Sequence, residues 1–401
     1  MEYMTVKDAA QRWNVTERLV QRLCAEGRIE GAVKFGRSWG VPVNARKPND
    51  PRRADSALRA TPPRPRRVPG SLAGLMPLMN TPFAPGTCAE FVDSLAPGSR
   101  RDIAQAEFYY FSGRPQEAVA AATRYLASED FDTRLSACLI CAYANLPLGR
   151  IDRAKHALEA ARGAIAAASE EAPQLRAAEA FIAQTASVLL HLPTPEGLPR
   201  AQDVLPLLPP GLRAFACYVQ AHAIYLAGDY AQSLGIAQTA LMTQEDVYPI
   251  PSIYLHLIAV MDLMSMRETD RAREHLLAAW ELARPDDLIQ AFGEHHGLLG
   301  GMLEAELKPW WPEDFKRIIA ITYRFSAGWR RIHNPATSDD VADDLTTTEF
   351  AASMLAARGW TNQEIARHMG VSVNTVKSYI SRSLAKLGVK RRQDLGRFML
   401  S

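Results

Sequence analysis

The sequence predicts a mainly α protein. It combines a small N-terminal unit of two helices and a strand hairpin, a central α-solenoid, and a compact C-terminal domain with a helix-turn-helix. Three observations carry that prediction. Residues 101–334 are rich in Ala and Leu and place them at helical spacing, segment after segment. The charge is divided: residues 1–70 hold 15 Lys and Arg against 7 Asp and Glu, residues 345–401 hold 9 against 3, and the stretch between keeps a net −12 in a chain whose total is +2. Polyanion contact is therefore expected at the two ends. Finally, Pro-, Arg- and Asp-rich stretches separate the parts.

Residues 1–46 read as one unit. "TVKDAAQRW" sets Val6, Ala9, Ala10 and Trp13 on one helical face. "NVTERLVQRLCAEG" follows, with Thr16 as N-cap, Leu19, Val20 and Leu23 inward and Gly27 as the stop. "AVKFGRSWGVP" alternates around Gly36-Arg37-Ser38, a hairpin that forms a wing beside the two helices. Arg18, Gln21 and Arg22 on the second helix and Lys34 and Arg37 on the wing are candidate DNA contacts, with protein docking the alternative. Residues 47–100 are a Pro/Arg-rich linker and lead-in, with little to bury over 47–70.

Within 101–334 a chain breaker is followed five residues on by a small residue. The pairs are Gly113 and Ala118, Gly149 and Ala154, Gly228 and Ser233, Arg267 and Ala272, with a further copy expected around Ala201. Such a period predicts antiparallel helix pairs stacked side by side. Cys138 and Cys141 form a CxxC inside an apolar run and read as core thiols; the five cysteines give no disulfide framework. An enzyme is not expected. Asp286-Asp287 and His295-His296 are the best candidates, but adjacent histidines on a helix point about 100° apart, so they read as a surface pair. Trp310-Trp311 before Pro312 reads as a packing corner. "GLLGGMLEAELK" lacks the phosphate-loop spacing, so neither a nucleotide nor another cofactor is expected.

Residues 335–344, "PATSDDVADD", read as an acidic hinge, able with the acidic middle to compete with DNA for the basic end. Residues 345–401 carry the sharpest local signals. "TNQEIARHM" is a short helix capped at Thr361, Gly370 ends it, and Ser372 caps the next. In that next helix Val376, Ile380, Leu384 and Leu387 form one apolar stripe, facing Ile365, Ala366 and Met369. Its other faces carry Asn374, Thr375, Lys377, Ser378, Ser381, Arg382 and Lys386 and no acid, a surface for base edges and phosphates. Lys386, Arg382 and Arg391 are the expected phosphate contacts.

These residues resemble the LuxR-type (NarL/FixJ-like) DNA-binding domain. The match runs through Leu345-Thr346, Glu349, Leu355, Gly359, Asn362, Glu364-Ile365-Ala366, Val371-Ser372, Thr375-Val376-Lys377, Leu384 and Lys386-Leu387-Gly388-Val389. It departs at Thr347, Thr348 and Ala351, which touches the first-helix salt links. The resemblance implies a four-helix domain, a recognition helix near 373–387 and a last helix near 391–400 used in dimer contacts. Residues 4–43 resemble a MerR/excisionase-like winged helix. The middle resembles tetratricopeptide sensor domains of large LuxR-type regulators.

The expected function is a DNA-binding transcriptional regulator whose central domain senses a small molecule or partner protein. The alternative is a solenoid scaffold or adaptor that binds peptides or proteins. Double-stranded DNA, RNA polymerase and a second copy of the chain are the expected partners. Charges and Trp13 interrupt the first twenty residues, and no apolar run reaches the roughly 18 residues of a membrane span. A cytoplasmic protein is therefore expected, with no membrane contact.

Overall fold

The computed structural model describes residues 3–13, 15–27, 29, 31–36, 38–45, 72, 74–166, 173–189, 197–333 and 345–399. They fall into two compact units, Met1–Thr61 and Pro62–Ser401. Arg37, residues 47–71 and 73 of the expected linker and lead-in, and the whole of the acidic hinge 335–344 lie outside the described residues.

The first unit runs β1 (Tyr3–Thr5), α1 (Val6–Trp13), α2 (Glu17–Ala25), β2 (Val33–Phe35) and β3 (Ser38–Pro42). β3 is central and pairs antiparallel with both neighbours, Tyr3 opposite Pro42 and Phe35 opposite Ser38. The β2–β3 hairpin stands where the hairpin of the expected wing was placed. Val6, Ala9, Ala10, Val20 and Leu23 are buried, with Trp13 and Leu19 packed against them. Strand β1 was not expected: three residues running straight into a helix show no periodicity.

The second unit is helical. Its body comprises α3 (Cys88–Ser94), α4 (Ser99–Phe111), α5 (Pro115–Ala122), α6 (Phe131–Asn145), α7 (Ile151–Ala166) and α8 (Pro173–Leu189). It continues through α9 (Ala201–Val204), α10 (Pro210–Leu226), α11 (Tyr230–Met242), α12 (Pro249–Ser265), α13 (Thr269–Ala283), α14 (Gln290–His295) and α15 (Pro312–His333). Helices 4 and 5, 6 and 7, 10 and 11, and 12 and 13 form hairpins at the four expected breakers. Each breaker has a left-handed backbone: φ is 74° at Gly113, 65° at Gly149, 85° at Gly228 and 65° at Arg267. Each turn makes the same pair of bonds. Arg267 N–H, for example, donates to Met264 O (3.3 Å) and Glu268 N–H to Leu263 O (2.8 Å). The small residues five on, Ala118, Ala154, Ser233 and Ala272, are buried where two helices meet. The copy expected at Ala201 is a single turn followed by a 3-10 turn, Leu205–Leu207. Pro206, Pro209 and Pro210 stop it from growing.

The lead-in expected within 47–100 is not a tether over 72–98. Leu72, Leu75, Leu78, Cys88 and Val92 are buried in the body. Leu78 and Met79 N–H donate to the Glu107 carboxyl (2.8 and 3.0 Å), and Gly86 and Cys88 N–H to Asp286 (2.6 and 2.9 Å). Asp286 is thus a structural anchor, and Asp287 pairs with Arg317 (2.5 Å). Burial pushes Cys138 to about 12 and Cys141 to about 11, so both are inert core thiols, as expected. Trp311 stacks tilted on Trp280 at 5.7 Å, while Trp310 is exposed. His295 and His296 were expected at the surface and are instead 3% and 2% exposed. Two imidazoles can be buried because each finds a partner: His295 Nε2 meets Tyr218 OH (2.7 Å) and His296 Nε2 meets Glu304 (2.8 Å).

Candidate nucleic-acid interface

The C-terminal head is built from α16 (Thr347–Ala357), α17 (Asn362–Met369), α18 (Val373–Lys386), a 3-10 turn (Arg392–Leu395) and α19 (Gly396–Met399). Local sequence fixes each start. Thr346 and Glu349, and Thr361 and Glu364, form reciprocal capping boxes. Gly370 ends α17 at φ 63°, a left-handed position that favours glycine. Ser372 then accepts from Thr375 N–H (3.0 Å) and meets the Thr375 hydroxyl (2.8 Å). Ile365, Ala366 and Met369 are buried with Val376 and Ile380, the expected contact between the two helices.

First-helix salt links survive the departures at Thr347, Thr348 and Ala351. Lys386 Nζ donates to Glu349 Oε2 at 2.7 Å, tying α18 to α16. Burial alone would raise the Glu349 carboxyl. Lys386 and the Thr346 N–H outweigh it and hold the carboxyl below its usual range.

That packing leaves one face of α18 open. Asn374, Lys377, Ser381, Arg382 and Lys386 are exposed, and Thr375 and Ser378 half-buried. No acid lies in the first turn of α18. Lys386 and Arg391 are not free cations: Lys386 holds Glu349, and Arg391 Nη2 holds Asp394 Oδ1 at 3.0 Å. In the N-terminal unit Arg18, Gln21, Arg22 and Lys34 are exposed. Arg22 lies 3.8 Å from Glu26, and the Lys34 ammonium sits 5.9 Å from the Trp39 ring centre.

The opposite face of the head docks on the helical body, through residues the sequence reading missed. Arg267 donates to the carbonyls of Arg358 (3.3 Å) and Gly359 (2.7 Å) and lies 3.9 Å from Glu364. Arg358 reaches back to Tyr225 OH (2.7 Å) and Leu298 O (3.0 Å). His368 Nε2 meets Gly300 O at 3.1 Å. The turn 297–301 is glycine-rich because the head lies on it: a Cβ at Gly297 would collide with Phe350. Behind it, Asp262 is fully buried and pushed up to about 8; burial outweighs the Ser233 hydroxyl and the charge of Arg358. One sequence signal did mark this junction. Arg267 occupies a slot that the other three hairpins give to glycine. Among the described residues no acidic surface of the body masks Arg382, Lys386 and Arg391: the reading face is exposed and two of the three cations hold carboxylates of the head itself, while the acidic hinge named in the same expectation lies outside the described residues.

Capped, short helices at this spacing with an acid-free exposed second helix define a DNA-reading helix-turn-helix. Residues 343–399 match the family described as bacterial regulatory proteins, luxR family. Over 68 residues the chain is 38% identical to the DNA-binding transcriptional activator DevR/DosR of Mycobacterium tuberculosis, covering 17% of this chain and 31% of that one. The chain thus spans about a third of the length of that relative. No solved structure matches. The C-terminal domain is a LuxR-type helix-turn-helix domain. Among the described residues no helix is long and apolar enough to cross a membrane.

Proposed function

We propose that the chain is a transcriptional regulator that binds double-stranded DNA through α18 and uses its helical body as the sensor. The exposed, acid-free face of α18 carries this reading. Asn374, Lys377 and Ser378 lie near the N-terminal end, where base edges are read, and Arg382 lies where phosphates run. One such helix reads too few base pairs for genomic specificity, so the head acts as a homodimer on two half-sites about one helical turn apart. Arg18, Gln21, Arg22 and Lys34 of the N-terminal unit add contacts to the same DNA, and RNA polymerase is the downstream partner. The sensing role rests on the dock. An effector that prefers one arrangement of the 297–301 turn changes how the head is held, through its differential affinity for the two arrangements. Mapping the genomic sites bound by the intact protein, then footprinting one of them, tests the reading. Two protected half-sites support it; retention on DNA without sequence preference refutes it.

A further inference from the structure

The chain joins the two helices of the helix-turn-helix at one end only. The turn at Gly370 and Ser372 links the C-terminus of α17 to the N-terminus of α18. Their other ends, at Asn362 and Lys386, are linked by a side chain. Arg392, in the 3-10 turn that follows α18, donates from Nη1 to Asn362 Oδ1 (2.5 Å) and from Nη2 to the Trp360 carbonyl. Asn362 is the first residue of α17, and Trp360 lies just before its cap. The chain from α18 to Arg392 leaves the helix in a defined turn, with Val389 N–H on Leu384 O (3.0 Å) and Gly388 left-handed at φ 69°. Arg392 is half-buried and, among the described residues, makes no ion pair. Its neighbour Arg391 is exposed and holds Asp394 instead.

The loop that Arg392 holds is also held by the body. Arg267 donates to the carbonyls of Arg358 and Gly359, and a Cβ at Gly359 would stand 2.9 Å from Arg267 Nη2. The successive carbonyls of 358, 359 and 360 thus accept from two arginines, one in the body and one beyond α18. Lys386 ties α18 to α16, not to α17. Crossing angles of packed helices scatter by roughly 15–20°. Groups that recognise a partner must be held to about 0.5 Å. The apolar contact of Ile365, Ala366 and Met369 with Val376 and Ile380 brings the two helices together. A planar guanidinium on two acceptors adds what that contact lacks, a fixed angle.

We propose that Arg392 is a positioning residue for DNA reading: it braces the open end of the helix-turn-helix and, through the loop 358–362, makes the angle of α18 answer to the grip of Arg267. The inference rests on the DNA-binding function proposed above and says how that face is regulated. A body that shifts Arg267 moves the loop, and Arg392 carries the movement to the far end of α18.

The test uses the full chain, a footprinted site and a copy of that site with one mismatched base pair, across a series of salt concentrations. Arg392→Ala should lower discrimination between the two sites about fivefold or more and leave the salt slope unchanged. Arg392→Lys, which keeps the charge but reaches one acceptor, should recover only part of it. A slope lower by about 1, with full recovery in Arg392→Lys, would show a direct phosphate contact and overturn the brace. Arg267→Ala should alter discrimination in the parent and not in Arg392→Ala; equal effects in both overturn the link to the body. A second readout needs no DNA. Spin labels at Gln363→Cys and Ala385→Cys, exposed positions on α17 and α18, report the distance between the helices. That distance should shift or broaden in Arg392→Ala, and in Asn362→Ala should the first variant not fold. An unchanged distance overturns the brace. A changed distance in a chain whose parent shows no sequence preference upholds the brace and refutes the DNA-binding function instead.

Discussion

The two faces of the head are built from opposite materials. The docked face, α16 and α17, is held by backbone carbonyls, a half-buried arginine and a glycine turn that admits no side chain at Gly297. The reading face of α18 offers exposed Asn374, Lys377, Ser381 and Arg382, with its cap residues and Lys386 tied down within the head. Groups fixed at the dock cannot adapt to a second partner, whereas those on α18 are free to. The dock therefore holds the head, and the other face is the one proposed to read DNA.

The largest expected effect falls on the reading face. Lys377→Ala together with Arg382→Ala should weaken specific DNA binding by about 1–3 kcal/mol per lost base contact, with the melting temperature unchanged. Unchanged affinity would erase the distinction between the faces. At the dock, Gly297→Leu should overpack against Phe350 at a cost of about 1–3 kcal/mol, read as earlier melting and faster hydrogen exchange in α16 and α17. DNA contact by α18 should survive it. A third variant concerns Asp262. Its carboxyl titrates near 8 when folded, against 3.8 as its ordinary value, so the folded chain holds an extra proton between these pH values. Stability from this group is present at low pH and is lost as pH rises from about 4 to 8. Asp262→Asn should therefore gain on the parent by on the order of 1 kcal/mol or more by pH 8 and match it near pH 4. A difference that does not change with pH would show that Asp262 is not a buried neutral acid. The smallest effect is at Arg267. A left-handed backbone costs a non-glycine residue roughly 1–2 kcal/mol, so Arg267→Gly relieves strain while losing the bond to Gly359 O. Net stability should change by less than about 1 kcal/mol, with faster exchange at the Gly359 and Trp360 amides. Arg267→Ala, which keeps the strain, should be the less stable of the two; equal melting would show that the strain is absent.

What the sequence made legible was local. Thr361, Gly370 and Ser372 sit within three or four residues of the groups they cap, so the head could be read almost to the residue. The hairpin period was readable because a breaker and a small residue recur at fixed spacing. The strap over 72–98 was not. Its anchors Glu107 and Asp286 lie 29 and 198 residues from Leu78 and Cys88, and no short-range pattern marks them. The burial of His295 was misread for the same reason, since its partner Tyr218 is 77 residues away. The dock escaped because most of its hydrogen bonds end on backbone carbonyls, which every residue has; only the misplaced arginine at 267 announced it.

The central claim is that the head reads DNA through a face the helical body leaves open. The most direct measurement is the affinity of the intact, effector-free protein for a footprinted site, taken across a series of salt concentrations and repeated with Lys377→Ala and Arg382→Ala. The account predicts tight, sequence-specific binding that weakens steeply with salt, a shallower slope for Arg382→Ala, and a loss of discrimination between sites for Lys377→Ala. Binding with no sequence preference, or identical affinity and slope in both variants, would contradict it.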